Sequence, residues 1–414
     1  MTFSRRKFLT WSGVAAGAGA LAAGGGYAWT HPDVLRQAAI DSPLDPRSGV
    51  LVLVTLYGGN DGLNTVIPAA DRAYQDARPD LAYQPGEVLD LGDGLGLNPA
   101  MTGLKSLWDS KELAIVRGVG YPQPDRSHFR SMAIWQTADP RTPQPSGWLG
   151  RWLDATGDPL QAVSVEPVLP PVLVGSRTAA ASCPPKGLQL GKGPTANPLA
   201  MLGRPDPADC PLQAAAARSL SEVARIGVAL DPSVARAREE AQAPQGQGSG
   251  TGTGGQQALE QQLDLVAAMI ELGVPSRVYS VSLGGFDTHA GEKASLEGLL
   301  GHLSDCLSRF QQRLNGTERG KQVVTMVHSE FGRRVRANGS DGTDHGTAGP
   351  MFLMGRGVRP GFHGDQPSLT DLDNGDLKSN LDFRQVYANL LTRVLDADPA
   401  RFLAGFNKEL PVIS

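Results

Sequence analysis

Carboxylates and imidazoles recur in this chain at short, glycine-flanked intervals, each time after a run of apolar residues. Gly58-Gly59-Asn60-Asp61-Gly62 follows the first run, and its glycines let the backbone turn sharply so that Asp61 can point into a crevice. Asp125-Arg126-Ser127-His128 follows the second and leads into a helical pattern. A serine there is open between two roles, a helix cap and a nucleophile favoured by the positive end of the helix. The third run ends in Gly284-Gly285-Phe286-Asp287-Thr288-His289, where a spacing of two puts Asp287 and His289 on one side of an extended segment, as two ligands of one cation require. Ser329-Glu330-Phe331-Gly332-Arg333 follows the fourth. Slightly later comes Gly342-Thr343-Asp344-His345-Gly346, whose Asp-His pair taken alone reads better as turn residues than as ligands. His363, in another glycine-rich loop, also reads more readily as a turn residue than as a ligand. His31, His302 and His328 are set aside as structural or incidental. Together these residues make a divalent site plausible, with zinc or manganese ahead of calcium because histidine is present.

The elements that must position them are apolar runs of strand length at Val50 to Tyr57, Leu113 to Val119, Arg277 to Leu283, Gln322 to His328 and Pro350 to Met354. Amphipathic helical patterns lie between and beyond them, at Gln257 to Leu272, Ala294 to Leu314 and Phe383 to Leu395. Continuous apolar strands alternating with such helices predict an α/β fold, mainly a parallel sheet with helices on both faces. In such sheets ligands bind beyond the carboxyl ends of the strands. Asp61, Asp287, His289, Asp344 and His345 are therefore expected to converge there, with neighbouring donor atoms within roughly 5 to 6 Å.

Residues 1–28 read as a twin-arginine signal peptide: Ser4-Arg5-Arg6-Lys7-Phe8-Leu9 precedes a weakly apolar run from Leu9 to Ala28, with cleavage expected after Ala28. An uncleaved membrane anchor is the competing reading of the same run. Removing its three cationic residues takes the formal net charge from -4 to -7, which speaks against nucleic acid or an anionic membrane surface as partner. Beyond the leader no apolar stretch is long enough to cross a bilayer. Residues 29–49 read as a linker and 50–414 as a single domain. An insertion spans about 148–256, its proline-rich start placed as a cap over the site, and 245–256 (QGQGSGTGTGGQ) is a flexible linker by composition. In an oxidising compartment Cys183 and Cys210 are the favoured disulfide pair, with Cys306 a buried free thiol.

The stretches YGGNDGLNTVIP (57–68), RGVGYPQPDRSHF (117–129), GGFDTH (284–289), SEFGRRVRANGSDGTDHG (329–346) and DFRQVYANLL (382–391) resemble a bacterial secreted family known as domain of unknown function 1501. The resemblance spans nearly the whole mature chain. That family is related to the alkaline phosphatase and sulfatase superfamily, whose members use a two-metal centre beside a serine, threonine or modified cysteine. The resemblance therefore implies an alkaline-phosphatase-like core with irregular insertions. Carried over by position, Asp61 resembles the acidic ligand after the first strand and Ser127 the nucleophile. Asp287 and His289 then resemble ligands of one metal, Asp344 and His345 ligands of the other, and His363 the last histidine. His128 is left open between base, ligand and substrate contact. Arg126 or Arg333 could neutralise a transferred group, and both read equally well as ion-pair residues. Two features depart from the superfamily: phosphatases space the third-loop pair more widely, and Cys183-Pro184-Pro185-Lys186 does not supply the Cys-x-Pro-Ser-Arg signal of sulfatases. The implied function is a periplasmic or secreted metal-dependent hydrolase acting on a small phosphate or related ester, with the twin-arginine translocase as partner during export. A non-catalytic exported scaffold or binding protein is the alternative.

Overall fold

The computed structural model describes residues 43–183, 256–355 and 357–414. The leader, the 245–255 stretch and Cys210 lie outside these residues, and with Cys210 the expected disulfide. The strands are β1 (Val50–Tyr57), β2 (Val66–Ile67), β3 (Leu89–Gly92), β4 (Leu95–Leu97), β5 (Leu113–Gly120), β6 (Ala162–Ser164), β7 (Ala181–Ser182), β8 (Val278–Gly284), β9 (Val323–Ser329), β10 (Gly349–Gly355), β11 (Gly361–His363), β12 (Leu372–Asp373), β13 (Asp376–Leu377) and β14 (Leu381–Asp382). The helices are α1 (Arg72–Ala77), α2 (Thr102–Asp109), α3 (His128–Thr137), α4 (Trp148–Thr156), α5 (Gln256–Leu272), α6 (Glu292–Asn315), α7 (Arg384–Arg393) and α8 (Pro399–Phe402).

The main sheet has the order β11-β5-β10-β9-β1-β8-β6-β7, with β14 also on β5. Every pairing in it is parallel except those of β10, which runs antiparallel to both β5 and β9. β1 explains why the sheet is covered on both faces. Its Val50, Val52, Val54 and Leu56 pack with residues of α2, α5 and α6, whereas Leu51 and Leu53 pack with residues of α3, α4 and α7. A strand whose alternate residues both enter cores must be apolar throughout, and each such side chain contributes about 1.5–3 kcal/mol on burial. The fold is thus a mixed, mostly parallel sheet flanked by helices, as an alkaline-phosphatase-like α/β core requires.

The reversed direction of β10 matters for the site. Residues 330–348 contain no helix, so nothing carries the chain back to begin another parallel strand. The chain re-enters the sheet from the edge where β9 ended, which leaves Asp344 and His345 beside the carboxyl ends of β1, β8 and β9. Residues from Trp148 to Ser182, read from sequence as the start of an insertion, supply α4 to the core and β6 and β7 to the sheet edge. No helix among the described residues is long and apolar enough to cross a membrane. Cys306 is buried on α6, and burial pushes its thiol up to about 12.

Candidate metal centre

Three loops at the carboxyl edge meet because glycines let them approach. Gly58 follows β1 with φ +120°, and a Cβ there would lie 2.4 Å from the backbone nitrogen of Asp287. A side chain at this position would therefore force the β1 and β8 loops apart. With glycine present, Asp287 Oδ1 lies 3.0 Å from His289 Nε2 and 3.0 Å from His345 Nε2, and the two Nε2 atoms are 3.0 Å from each other. His128 Nε2 approaches the other carboxylate oxygen, Asp287 Oδ2, at 3.5 Å. His128, Asp287 and His345 thus offer one donor atom each within 4.8 Å of one another.

Hydrogen bonds on the far side of each imidazole fix which nitrogen faces the cluster. His345 Nδ1 lies 2.9 Å from the carbonyl oxygen of Arg126, which can only accept, so this nitrogen carries the proton. His289 Nδ1 lies 3.3 Å from the Asp344 carboxylate, itself held by Asn338 at 3.1 Å. That bond to Asn338, with the His289 contact behind it, keeps the Asp344 carboxyl below its ordinary range. His128 Nδ1 lies 2.8 Å from Glu330 Oε1. Each ring in its neutral form therefore turns an Nε2 lone pair inward. Two lone pairs and a carboxylate oxygen face one another on a 3.0 Å triangle beside the Arg333 guanidinium, and edges of that length suit donor distances of about 2.0–2.2 Å to one ion. The donor set fits a divalent cation.

The surrounding charges reinforce the arrangement. Burial pushes Asp287 up, but the hydrogen bond from Arg333 and the imidazoles beside the carboxylate outweigh it and hold the carboxyl at about 2. Glu330 is 2% exposed, and its carboxylate accepts from the Gly58 amide at 2.9 Å and the Ser329 hydroxyl at 2.9 Å as well as facing His128. The hydrogen bond to Glu330 raises the pKa of His128 above its ordinary value. Arg333, 1% exposed, donates to the carbonyl oxygens of Gly58, Gly59 (2.7 Å), Phe286 (2.9 Å) and Thr343 (2.9 Å) and to Asp287 Oδ1 (2.7 Å). Its guanidinium ties the three loops together, and with its donors spent on protein oxygens it is an ion-pair residue of the scaffold.

The structure brings Asp287, His289, Asp344 and His345 together and adds His128. Asp61 stands apart: it is wholly buried and both its oxygens bond Arg78, Oδ1 at 3.0 Å. Against its burial, Arg78 holds the Asp61 carboxyl down, while burial and the Asp61 charge push the neighbouring Glu292 carboxyl well up. Arg78 also donates to the carbonyls of Val335 and Arg334, so this buried pair secures the loop beneath the cluster. His363 lies on the edge strand β11 with Nε2 2.7 Å from the Arg359 carbonyl, away from the cluster. Ser127 is exposed at the start of α3 and its hydroxyl makes no capping bond. The Arg126 side chain pairs with Asp376. Sequence reasoning did not nominate Glu330, Asn338 or Arg78. Of these, Glu330 had a signal available, a carboxylate in the loop directly after a buried strand.

A family profile described as "Protein of unknown function (DUF1501)" matches residues 200–409. No curated protein matches the sequence. Among solved structures the chain is similar to a protein of the alkaline phosphatase superfamily from Vibrio parahaemolyticus, at 10% identity and TM-score 0.41, covering 91% of this chain and 77% of that one. It is similar to a lipoteichoic acid synthase from Listeria monocytogenes, at 9% identity and TM-score 0.40, covering 87% and 75%. A phosphonate monoester hydrolase of Agrobacterium radiobacter gives 9% identity and TM-score 0.32, covering 86% and 78%.

Proposed function

Since the chain belongs to the DUF1501 family and gathers three imidazoles and a carboxylate at the carboxyl edge of its sheet, we propose that it is an exported metal-dependent hydrolase of phosphate or related esters. The observation that carries this reading is the 3.0 Å triangle of Asp287 Oδ1, His289 Nε2 and His345 Nε2. These residues hold the ion, with His128 as a further donor and Asp344 fixing His289 from behind. A divalent ion there, zinc or manganese ahead of calcium given the imidazoles, supplies charge stabilisation at the ester oxygens.

Ser127 is the nucleophile in this reading. Its oxygen forms a bond to phosphorus, the bond to the leaving alcohol breaks, and that alcohol takes up a proton. Water then releases the phosphate and restores the hydroxyl. The N-terminus of α3, whose first residue follows Ser127, favours the negative charge carried by the phosphoryl group. Arg333 holds the loops in register and does not contact the ester. A second reading, an exported binding protein without turnover, is favoured by one observation: the Ser127 hydroxyl has no capping or base partner among its described hydrogen bonds.

Metal analysis of protein purified after native export, followed by a panel of phosphomonoesters, phosphodiesters and sulfate esters, tests the proposal. Turnover lost in Ser127→Ala with metal content retained supports the hydrolase. Bound metal without turnover of any ester leaves the binding protein. Export itself rests on Arg5 and Arg6, and replacing both with lysine should strand the precursor in the cytoplasm.

A further inference from the structure

Beside the metal centre, two arginines share one buried carboxylate. Asp376, 1% exposed, pairs through Oδ2 with Arg126 Nη2 and lies through Oδ1 3.4 Å from Arg334 Nε. The two arginine side chains remain 43% and 34% exposed. Both start from backbone that touches the cluster: the Arg126 carbonyl meets His345 Nδ1 at 2.9 Å, and the Arg334 amide donates to the Asp344 carbonyl at 3.0 Å. Asp376 reaches them from the short β12-β13 hairpin, whose Asn374 carbonyl accepts from Arg334 Nη2. At Gly375 a Cβ would lie 2.8 Å from that same nitrogen, so the hairpin is shaped around the guanidinium.

One buried carboxylate is shared between two guanidinium groups, with the Asp344 charge also within reach of Arg334. Arg126 spends only Nη2 among the described contacts, which leaves planar N–H donors of the kind that bind carboxylate and phosphate oxygens in pairs. Tying down a six-residue hairpin needs one such ion pair, whereas two partly exposed cations on one wall suit a ligand that brings its own negative charge.

We propose that Arg126 and Arg334 form an anion subsite on the wall of the metal centre. Building on the hydrolase reading, it takes a second anionic group of the ester, so the substrates are esters carrying at least one further phosphate, sulfate or carboxylate. Asp376 holds the two guanidinium groups in place and competes with the ligand for them.

The subsite is tested without turnover by titrating the chelator-treated full-length protein with inorganic phosphate and following the phosphorus resonance. Saturable binding is expected, weakened about tenfold or more in the Arg126→Gln/Arg334→Gln double variant, because charge-assisted hydrogen bonds are lost. Asp376→Asn should strengthen binding several-fold. A cluster that only ties the hairpin gives a different result: no saturable binding in the native protein, or weakening in Asp376→Asn as well, and either outcome overturns the proposal. Melting curves identify any variant that has not folded. Should Asp376→Asn fail to fold, Arg126→Lys/Arg334→Lys decides, since binding must fall between that of the native and glutamine proteins. With the manganese-loaded protein, esters bearing a second anionic group should be preferred about tenfold in kcat/KM over simple monoesters, and the preference should collapse in the glutamine double variant. If phosphate binding follows the expected pattern while no ester is hydrolysed, the hydrolase reading fails and the subsite stands.

Discussion

His289 and His345 point their Nε2 atoms at each other across 3.0 Å, with Asp287 Oδ1 3.0 Å from both. Since both Nδ1 atoms face oxygens on the outer side, each ring in its neutral form presents its Nε2 lone pair to a cation. His289→Ala or His345→Ala should each reduce affinity for zinc or manganese by about 100-fold or more, at least the loss seen when supporting residues of metal sites are removed. Competition titration against a fluorescent chelator measures this directly. Retention of native affinity in both variants places the ion elsewhere.

Glu330 acts on the centre through His128. Glu330→Gln keeps an acceptor for the Gly58 amide but removes the charge that orients the imidazole, so metal affinity should fall about 10- to 100-fold with little change in melting temperature. An equal loss of stability and affinity points instead to damage to the loop.

Asp61 and Arg78 should behave as a buried ion pair. Arg78→Met leaves the Asp61 charge without its partner and should cost about 3–5 kcal/mol in urea unfolding. Metal stoichiometry of folded Asp61→Asn should equal that of the native protein. A missing metal in that variant makes Asp61 a ligand after all.

His328 gives the core a response to acid. It is buried in β9, stacked on Trp135 at 5.1 Å, and burial lowers its pKa to about 4. The unfolded chain, with an imidazole near its ordinary value of about 6.5, binds this proton first, so stability from this group is intact above about pH 6.5 and declines as pH falls towards about 4. His328→Phe preserves the stacked ring and should flatten the dependence of melting temperature on pH across that window. An unchanged slope assigns the acid response to other groups.

The strands were legible because burial on both faces leaves an unbroken apolar run: Val50 to Tyr57 is the same in sequence and structure, and the expected strand from Gln322 to His328 is displaced by one residue. Asp287 with His289 was legible for a local reason, a spacing of two in an extended loop. Asp344 with His345 looked like turn chemistry because its meaning depends on β10 running antiparallel, which no local pattern encodes. Asp61 misled in the opposite sense. Its glycine-rich loop suits a ligand, but Arg78, which takes its carboxylate, sits 17 residues on in a stretch without any comparable signal.

Arg333 also bears on how firmly an ion is held. Its guanidinium is 2.7 Å from Asp287 Oδ1 and 3.5 Å from His289 Nε2, so two of the donors already face a cationic side chain that is part of the scaffold. An incoming cation shares those donors with it and meets like-charge repulsion at close range. The same guanidinium keeps the loops assembled after the ion has gone. Loops tied this way should stay assembled whether or not an ion is bound, so occupancy of such a site would follow the free-ion concentration around the protein.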